Sequence, residues 1–370
     1  MKTLMLLLIA ILSVLFFCSP VFAAQSFYKL QNSLSKDFDS TRAAAQEEWT
    51  DYAISIHKDW FELKKEVEKK WGIFVYSSKK EWVQYDDKRD TKGSVNFEDG
   101  KIEIETIVLK EAENSFETIK KNLTDLLKKI FLKEYFRDAK VLEGQVLNKK
   151  GVPVTDENLD MYIIEDIVPN IHKKADSFQS KDGKERKKYS VSINLVPDHL
   201  NLRAKTYYND VKKNAARFSL DPEFIMAIIH AESYFNPFAV SGKGAIGLMQ
   251  IVPKWAGKET YEYLYGQGNL VPDYLYSPGV NIELGSAYLH LLATRYFAGI
   301  KDSEKIKQLS ICAYNWGPGA INKNIVKKYN ISKMSRARLY QVLINNTPEE
   351  TSKYLQKVTE KEKVYQKYFL

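Results

Sequence analysis

Glu232 is the residue whose type and position best suit acid–base chemistry. It lies in the stretch DPEFIMAIIHAESYFNPFAVSGKGAIGLMQ, residues 221–250, on an apolar stripe formed at helical spacing by Ile225, Ile228 and Ile229. Most helical glutamates are solvated surface residues, whereas burial of an unpaired carboxylate is costly and rare without a function. Periodicity alone leaves both interpretations open. Burial disfavours the charged form of a carboxyl group and raises its pKa toward neutrality, which suits a group that must hold and release a proton.

A helix and a glycine-containing loop must position this glutamate. Asp221 as N-cap, Pro222 at the first helical position and Glu223 near the positive end of the dipole predict where the helix begins. Pro237 excludes further helix, so Glu232 is expected near the helix end. Three glycines follow at close spacing: Gly242, Gly244 and Gly247. They permit a tight backbone path back toward that end.

Two further clusters combine polar and aromatic residues. Residues 313–319, AYNWGPG, are expected to end a helix, and their simplest interpretation is that the glycines stop the helix while Trp316 joins the core. Residues 350–354, ETSKY, follow Thr347, and their simplest interpretation is a capping box with Glu350 at its third position. Neither cluster by itself requires a function.

The net charge of the chain limits the kinds of binding partner to anionic ones but does not identify one. The chain has 370 residues, a prior for about two domains, and a net charge of +8 with a pI near 9.0. Such a chain is attracted to nucleic acid, anionic lipid or an anionic cell-wall polymer. The sequence contains no recognisable nucleic-acid motif, Cys/His metal spacing or phosphate-binding glycine loop. We therefore predict no nucleic-acid partner, no metal and no cofactor.

The N-terminus has the pattern of a secretory signal. Lys2 precedes an apolar run at residues 4–17, and small residues follow at Ala23 and Ala24. A membrane anchor is the alternative, but it needs about 20 apolar residues and this run is shorter. We predict a signal peptide at residues 1–24 and a periplasmic mature chain.

The two cysteines bear on the same question. Cys18 raises the alternative of a lipoprotein signal, but Phe16 and Phe17 precede it where a small residue is usual. After removal of the signal, Cys312 is the remaining cysteine and has no internal disulfide partner. It lies in an apolar stretch, which favours a small core residue over a nucleophile.

Residue composition changes near residue 198, which predicts a boundary between two domains. Residues 25–198 combine helical and strand patterns, and alternating isoleucine and glutamate in a hairpin predicts one apolar and one charged sheet face. The predicted elements are one or two surface helices within 25–70, strand character within 71–83, a hairpin at 94–108, a helix at 116–136, strands at 161–167 and 189–196, and a charged loop at 181–188.

From residue 199 to residue 370 the pattern is helical. The predicted helices are roughly 201–217, 222–234, 279–298, 303–316, 319–329, 335–345 and 348–368. The predicted fold is an α+β N-terminal domain followed by an all-α domain.

Taken together, four motifs resemble one known family. They are Glu232-Ser233, Gly247-Leu248-Met249-Gln250, Ala313-Tyr314-Asn315-Trp316-Gly317, and Glu350-Thr351 through Tyr354. In this order they resemble the catalytic domain of the family 1 lytic transglycosylases, over about residues 200–370. Residues 95–107 and 195–200 are similar to the N-terminal domain and junction of a membrane-bound member. The resemblance implies a goose-type lysozyme-like fold for the helical domain.

The resemblance also implies residue roles. Glu232 would be the catalytic acid and base, and peptidoglycan glycan strands would be the substrate. Most glycosidases use two carboxylates, whereas here the acetamido group of N-acetylmuramic acid would replace the second and the C6 hydroxyl would close a 1,6-anhydro ring. The implied substrate-binding residues are Ser241, Gly247, Met249, Gln250, Tyr314, Asn315 and Tyr354. The implied location is the periplasm, with outer-membrane or cell-wall association.

Two alternatives stay open at this point. A hydrolytic muramidase would use water in place of the C6 hydroxyl and would leave a reducing end. A non-catalytic wall-binding protein would keep the fold without the chemistry.

Overall fold

The computed structural model describes residues 61–111, 116–135, 139–171, 176–268 and 270–366. The chain forms two compact units, residues 1–68 and 69–370. Residues 61–71 are helical, within the segment predicted to hold surface helices. The predicted signal peptide, Cys18 and residues 25–60 lie outside the described residues. The elements below belong to the second unit.

A five-stranded antiparallel sheet forms the first part of this unit. Its order is β1-β2-β3-β7-β6, and a separate two-stranded ribbon is formed by β4 and β5. The predicted hairpin is confirmed, with Val95 opposite Ile102 in the register of β2 and β3. The strands are β1 Glu81–Tyr85, β2 Thr91–Asn96, β3 Lys101–Leu109, β4 Glu134–Tyr135, β5 Ala139–Lys140, β6 Asp176–Gln179 and β7 Glu185–Asn194.

The two faces of the hairpin differ, but the charged face is not simply solvated. Ile102 and Ile104 are fully buried, as the alternation predicts. Glu105 is also buried, and it pairs with Lys92 and, at 2.8 Å, with Lys188. Burial acts to raise the pKa of Glu105, but its bonds to the two lysines hold that pKa below its usual value. The face predicted as charged therefore contains a buried carboxylate that pairs with two less buried lysines.

Helix α1, Phe116–Phe131, packs on the sheet and is shorter than the predicted 116–136. Two other predictions in this region are wrong. Residues 161–167 form helix α2, Leu159–Tyr162, and a π-helical turn, Ile163–Ile167, instead of a strand. The buried residues there recur at helical spacing, but the segment is short and its apolar residues are interrupted by Glu165 and Asp166, so the sequence could not distinguish a helix from a buried strand. The predicted charged loop at 181–188 contains the start of β7, where Arg186 is buried against Asp182 at 2.7 Å.

The second part of the unit is helical, so the predicted fold class is confirmed. The predicted helix at 201–217 divides at Tyr207 into α3 and α4, and α6 is a helix that the sequence did not predict. The helices are α3 His199–Thr206, α4 Tyr208–Phe218, α5 Pro222–Ser233, α6 Lys258–Tyr265, α7 Pro278–Leu291, α8 Ser303–Trp316, α9 Pro318–Ile321, α10 Arg336–Asn346 and α11 Glu349–Gln366. Short 3-10 and π-helical turns extend or join them at Pro253–Gly257, Pro272–Tyr276, Leu292–Tyr296, Asn322–Val326 and Ile331–Lys333.

Arg203 on α3 connects the sheet to the end of α5. Its guanidinium donates to the carbonyl of Phe97 at 2.7 Å, to Oε1 of Gln145 at 2.5 Å and to the carbonyl of Tyr234 at 3.3 Å. Only 2% of Arg203 is exposed, and burial lowers its pKa to about 10, so it stays charged at neutral pH. The arginine therefore fixes the residue that ends α5 relative to the sheet.

Within the described ranges, no helix combines the length and apolar composition that crossing a bilayer requires. Cys312 is fully buried, and burial raises the pKa of its thiol to about 12. This confirms Cys312 as a core residue.

Candidate active site

Glu232 is buried in the last turn of α5, with 4% of its surface exposed. The prediction that it points inward is confirmed, although every residue from Phe224 to Ser233 is buried and not the apolar stripe alone. Tyr234 and Phe235 have φ values of 52° and 61°, and this left-handed backbone ends the helix before Pro237.

The start of α5 differs in one detail from the prediction. Asp221 occupies the N-cap position with extended backbone, but its side chain makes no capping hydrogen bond. Its Oδ2 lies 3.5 Å from Nζ of Lys307 instead. Pro222 at the first helical position is confirmed.

Lys79 is the direct partner of Glu232. Its Nζ lies 2.7 Å from Oε2 of Glu232, and it precedes strand β1 in the sheet region. Sequence reasoning missed this residue, because the two positions are 153 residues apart and no local pattern distinguishes Lys79 from the many other lysines.

Gly247 shapes the loop that returns to the end of α5. Its φ is +77°, and a Cβ there would lie 2.3 Å from the carbonyl oxygen of Leu275 and from Nδ2 of Asn281. Both the backbone conformation and the space exclude a side chain. The resemblance pointed to this glycine, and the structure gives the physical reason for it.

Asn281 on α7 holds this loop and was missed from the sequence. Its side chain is fully buried; Oδ1 accepts from the N–H of Met249 at 2.7 Å, and Nδ2 donates to the carbonyls of Ile246 at 2.9 Å and Leu275 at 2.8 Å. The signal in the sequence was an amide side chain at the start of a largely apolar helix. Such a side chain needs hydrogen-bond partners when it is buried.

The remaining loop residues make defined contacts. Gln250 is 6% exposed; its Nε2 donates to the carbonyls of Ala239 and Gly247, each at 3.0 Å, whereas its Oε1 is buried with no partner among the described residues. Ser241 accepts the N–H of Ala245 at 3.0 Å and so closes a turn of the loop. Met249 is fully buried. Gln250 is thus a loop residue with a buried acceptor that no described residue satisfies.

Two tyrosines lie close enough to Glu232 for its negative charge to affect their pKa values. Burial raises the pKa of Tyr314 and of Tyr354 well above the usual tyrosine value, and the negative charge of Glu232 raises both further. Tyr314 donates its hydroxyl hydrogen to the carbonyl of Met249 at 2.8 Å. The hydroxyl of Tyr354 is buried and makes no hydrogen bond of ordinary geometry to a described residue. Both phenols are neutral, and the hydroxyl of Tyr354 lies within interaction range of the Glu232 carboxylate.

The other predicted residues lie around this centre without bonding to Glu232. Asn315 accepts a hydrogen bond from Thr351 at 2.7 Å, which ties α8 to α11. The predicted capping box does not form among the described hydrogen bonds: the Thr347 hydroxyl donates back to the carbonyl of Leu343, and Glu350 lies 3.8 Å from Lys243. Among the described hydrogen bonds, none joins Ser241 or Asn315 to Glu232.

A second charged group lies beside the end of α5. The hydroxyl of Tyr234 donates to Glu98 at 2.5 Å, and Lys80 pairs with the same carboxylate. Nζ of Lys357 donates to the carbonyl of Ala231 at 3.0 Å and lies 4.5 Å from the centre of the Tyr234 ring. Residues from the sheet and from α11 thus meet at the turn that carries Glu232.

Family comparisons identify the class of protein. The helical region matches the transglycosylase SLT domain over residues 209–336. This domain is a peptidoglycan-cleaving lyase, and the chain is a lytic transglycosylase with a lysozyme-like helical region, as the four motifs predict. Residues 53–206 match the N-terminal domain of membrane-bound lytic murein transglycosylase C.

Individual relatives agree with this assignment. The membrane-bound lytic murein transglycosylases C of Salmonella typhi and Salmonella typhimurium are each 33% identical over 299 residues, which cover 77% of this chain and 81% of theirs. The chain therefore belongs to the membrane-bound lytic murein transglycosylase C family.

Solved structures with partial similarity are also transglycosylases. An inactive mutant of lytic transglycosylase Slt from Pseudomonas aeruginosa is 29% identical, with a TM-score of 0.37 over 44% of this chain. The 70 kDa soluble lytic transglycosylase from Escherichia coli is 28% identical, with a TM-score of 0.37 over 46% of this chain. The chain spans about a quarter of the length of these two proteins, 24% and 26%.

Proposed function

We propose that this protein cleaves the β-1,4 bond between N-acetylmuramic acid and N-acetylglucosamine in peptidoglycan, and that Glu232 is its catalytic acid and base. The observation that supports this is a single buried carboxyl group at the end of α5, flanked by the neutral phenols of Tyr314 and Tyr354. A water-poor site of this kind strengthens proton transfer and electrostatic stabilisation.

The reaction needs no co-reactant. Glu232 in its protonated form donates its proton to the glycosidic oxygen as the bond from that oxygen to C1 breaks. The acetamido oxygen of the same sugar bonds to C1 and spreads the positive charge. Glu232, now ionised, takes the proton of the C6 hydroxyl while O6 attacks C1 and the acetamido oxygen leaves. The products are a 1,6-anhydro end and a free 4-hydroxyl, and Glu232 has regained its proton.

The polar atoms left over in the site are the proposed substrate contacts. Oε1 of Gln250 and the hydroxyl of Tyr354 are buried and unsatisfied among the described residues, and a buried polar group in that state costs free energy until a partner arrives. An acetamido N–H suits the first, and a sugar oxygen suits the second. Ser241 lies on the same loop, and we assign it to the acetamido side.

The other predicted residues shape and hold the site. Gly247 and Met249 form the floor of the cleft because Asn281 fixes their loop. Tyr314 holds the Met249 carbonyl, and Asn315 links the sugar-binding end of α8 to α11.

We expect the purified mature protein to release fragments with 1,6-anhydro ends from peptidoglycan. Mass spectrometry separates these from hydrolytic products, which are heavier by one water. Reducing ends in place of anhydro ends would establish the muramidase alternative. Tight binding to cell wall without released fragments would establish the non-catalytic alternative.

Domain limits and location form a further part of the proposal. We assign residues 1–24 to a signal peptide, 25–198 to the N-terminal domain and 199–370 to the catalytic domain. The mature chain is assigned to the periplasm, in association with the cell wall or the outer membrane, since its relatives are described as membrane-bound.

We expect the mature chain to begin at Ala24 or Gln25. Mass analysis of the N-terminal peptide from cell envelopes measures this directly. A diacylated Cys18 at the new N-terminus, or retention of the whole apolar run, would contradict signal cleavage at this site.

A further inference from the structure

The ion pair between Lys79 and Glu232 takes no part in the steps above. The two charged atoms are 2.7 Å apart, and the Glu232 side chain is 5% exposed whereas that of Lys79 is 40% exposed. The ammonium group occupies Oε2 of Glu232 as a hydrogen-bond donor. An acid that donates to a leaving group must be protonated at that moment. The contact must therefore open during turnover.

Hydrogen bonds hold the backbone on both sides of Lys79 in place. The contact with Glu232 therefore opens by movement of the Lys79 side chain. The N–H of Ser78 donates to the carbonyl of Glu81 at 2.7 Å, and the Ser78 hydroxyl accepts the N–H of Glu81 at 3.1 Å. The carbonyl of Lys80 accepts the N–H of Phe97 at 2.8 Å. Lysine carries its charge on a flexible four-carbon stem. The ammonium can thus move away from Glu232 while its Cα stays fixed.

Charge at this end of α5 favours an anionic ligand. Three ammonium groups, those of Lys79, Lys80 and Lys357, lie near two carboxylates, Glu98 and Glu232. These five side chains carry one net positive charge when all are ionised. Burial lowers the pKa of Lys357 to about 8, with a further contribution from Lys80, so it is mainly charged at neutral pH. Lys79 is the cation of this group that pairs with Glu232 and is well exposed to solvent.

Glycan strands carry carboxylates on their peptide stems, so a bound strand brings anions with it. We propose that Lys79 exchanges partners: it neutralises Glu232 in the unloaded enzyme and moves to a stem-peptide carboxylate when a glycan strand binds. The departure of Lys79 frees Oε2 of Glu232 for the glycosidic oxygen. This inference rests on the proposed function, and it makes Lys79 a residue that selects strands bearing acidic stems.

The test compares two forms of the same soluble glycan strands, one with free stem carboxylates and one with these carboxylates converted to methylamides. For the wild-type protein we expect kcat/KM to be higher on the acidic strands by about 2- to 5-fold, the range of a partly exposed ion pair. Lys79→Met is expected to lose this preference, and Lys79→Arg to keep it because the charge remains. Lys79→Gln is the second neutral variant, used if the methionine variant does not fold.

Lys110→Met is the matched control. Lys110 also lies in the sheet region, and its Nζ pairs with Glu185 at 2.6 Å with 46% of its side chain exposed, close to the values for Lys79. It should keep the wild-type preference. A wild-type preference in Lys79→Met, or equal losses of kcat on both substrates, would overturn the partner exchange. Anhydro products from the wild type on both substrates would leave the proposed function intact in either case.

Discussion

Glu232→Gln is expected to fold normally and to lose about 10²- to 10⁴-fold in kcat, the usual contribution of general acid–base catalysis. The amide keeps the shape of the side chain and can still accept a hydrogen bond from Lys79. It cannot hold and release the proton that both halves of the reaction need. Release of soluble fragments from peptidoglycan, followed over time with purified protein, measures the effect.

Glu223→Gln provides the control for this prediction. Glu223 lies in the first turn of the same helix, so the substitution makes the same chemical change away from the end that carries Glu232. Its loss removes a favourable contact with the helix dipole, about 0.3–1 kcal/mol of stability, and should leave kcat unchanged. Near wild-type turnover by Glu232→Gln would exclude Glu232 as the acid.

Arg203→Met is expected to give the largest loss of stability. Methionine fills part of the same volume but donates no hydrogen bond, and it leaves the acceptors of Phe97 and Gln145 buried without the donors they now have. An unsatisfied buried polar group costs about 1–3 kcal/mol, so two of them cost about 2–6 kcal/mol. Removal of a buried charge recovers some desolvation free energy, which favours the lower part of that range. Against a typical total of about 5–15 kcal/mol, the loss is severe.

Urea denaturation followed by circular dichroism measures this change. Arg217→Met is the matched control, because the Arg217 side chain is 46% exposed and pairs with Glu283 near the surface. Such pairs contribute about 0–1 kcal/mol. Equal denaturation midpoints for the two variants would show that Arg203 does not hold the sheet to the end of α5.

Local chemistry alone determined the main features of the catalytic helix. Pro222 begins α5, Pro237 follows its end, and isoleucine periodicity correctly predicted that Glu232 points inward, although α5 is buried on every side from Phe224 to Ser233. The hairpin followed from the alternation of isoleucine and glutamate and from the turn residues Asp99 and Gly100. These features depend on residues within a few positions of one another, and their steric and hydrogen-bonding preferences act before any tertiary contact forms.

Tertiary packing decided the secondary structure of segments whose sequence pattern suits both a strand and a helix. Residues 161–167 suit a buried strand and a buried helix equally well, and the structure makes them helical. The charged segment that begins β7 is a strand because it pairs with β3 and β6, and Arg186 is buried there against Asp182.

Only the tertiary structure brought the partners of the site together. Lys79, Asn281 and Arg203 each act on atoms that lie far away along the chain, so no local pattern marks them. Their importance comes from burial, since a carboxylate, a loop carbonyl or a guanidinium removed from water must find a partner wherever the fold brings one. The sequence therefore sufficed to predict which residue types form the site. The contacts that hold these side chains in place and balance their charge depend on how the sheet and the helices pack.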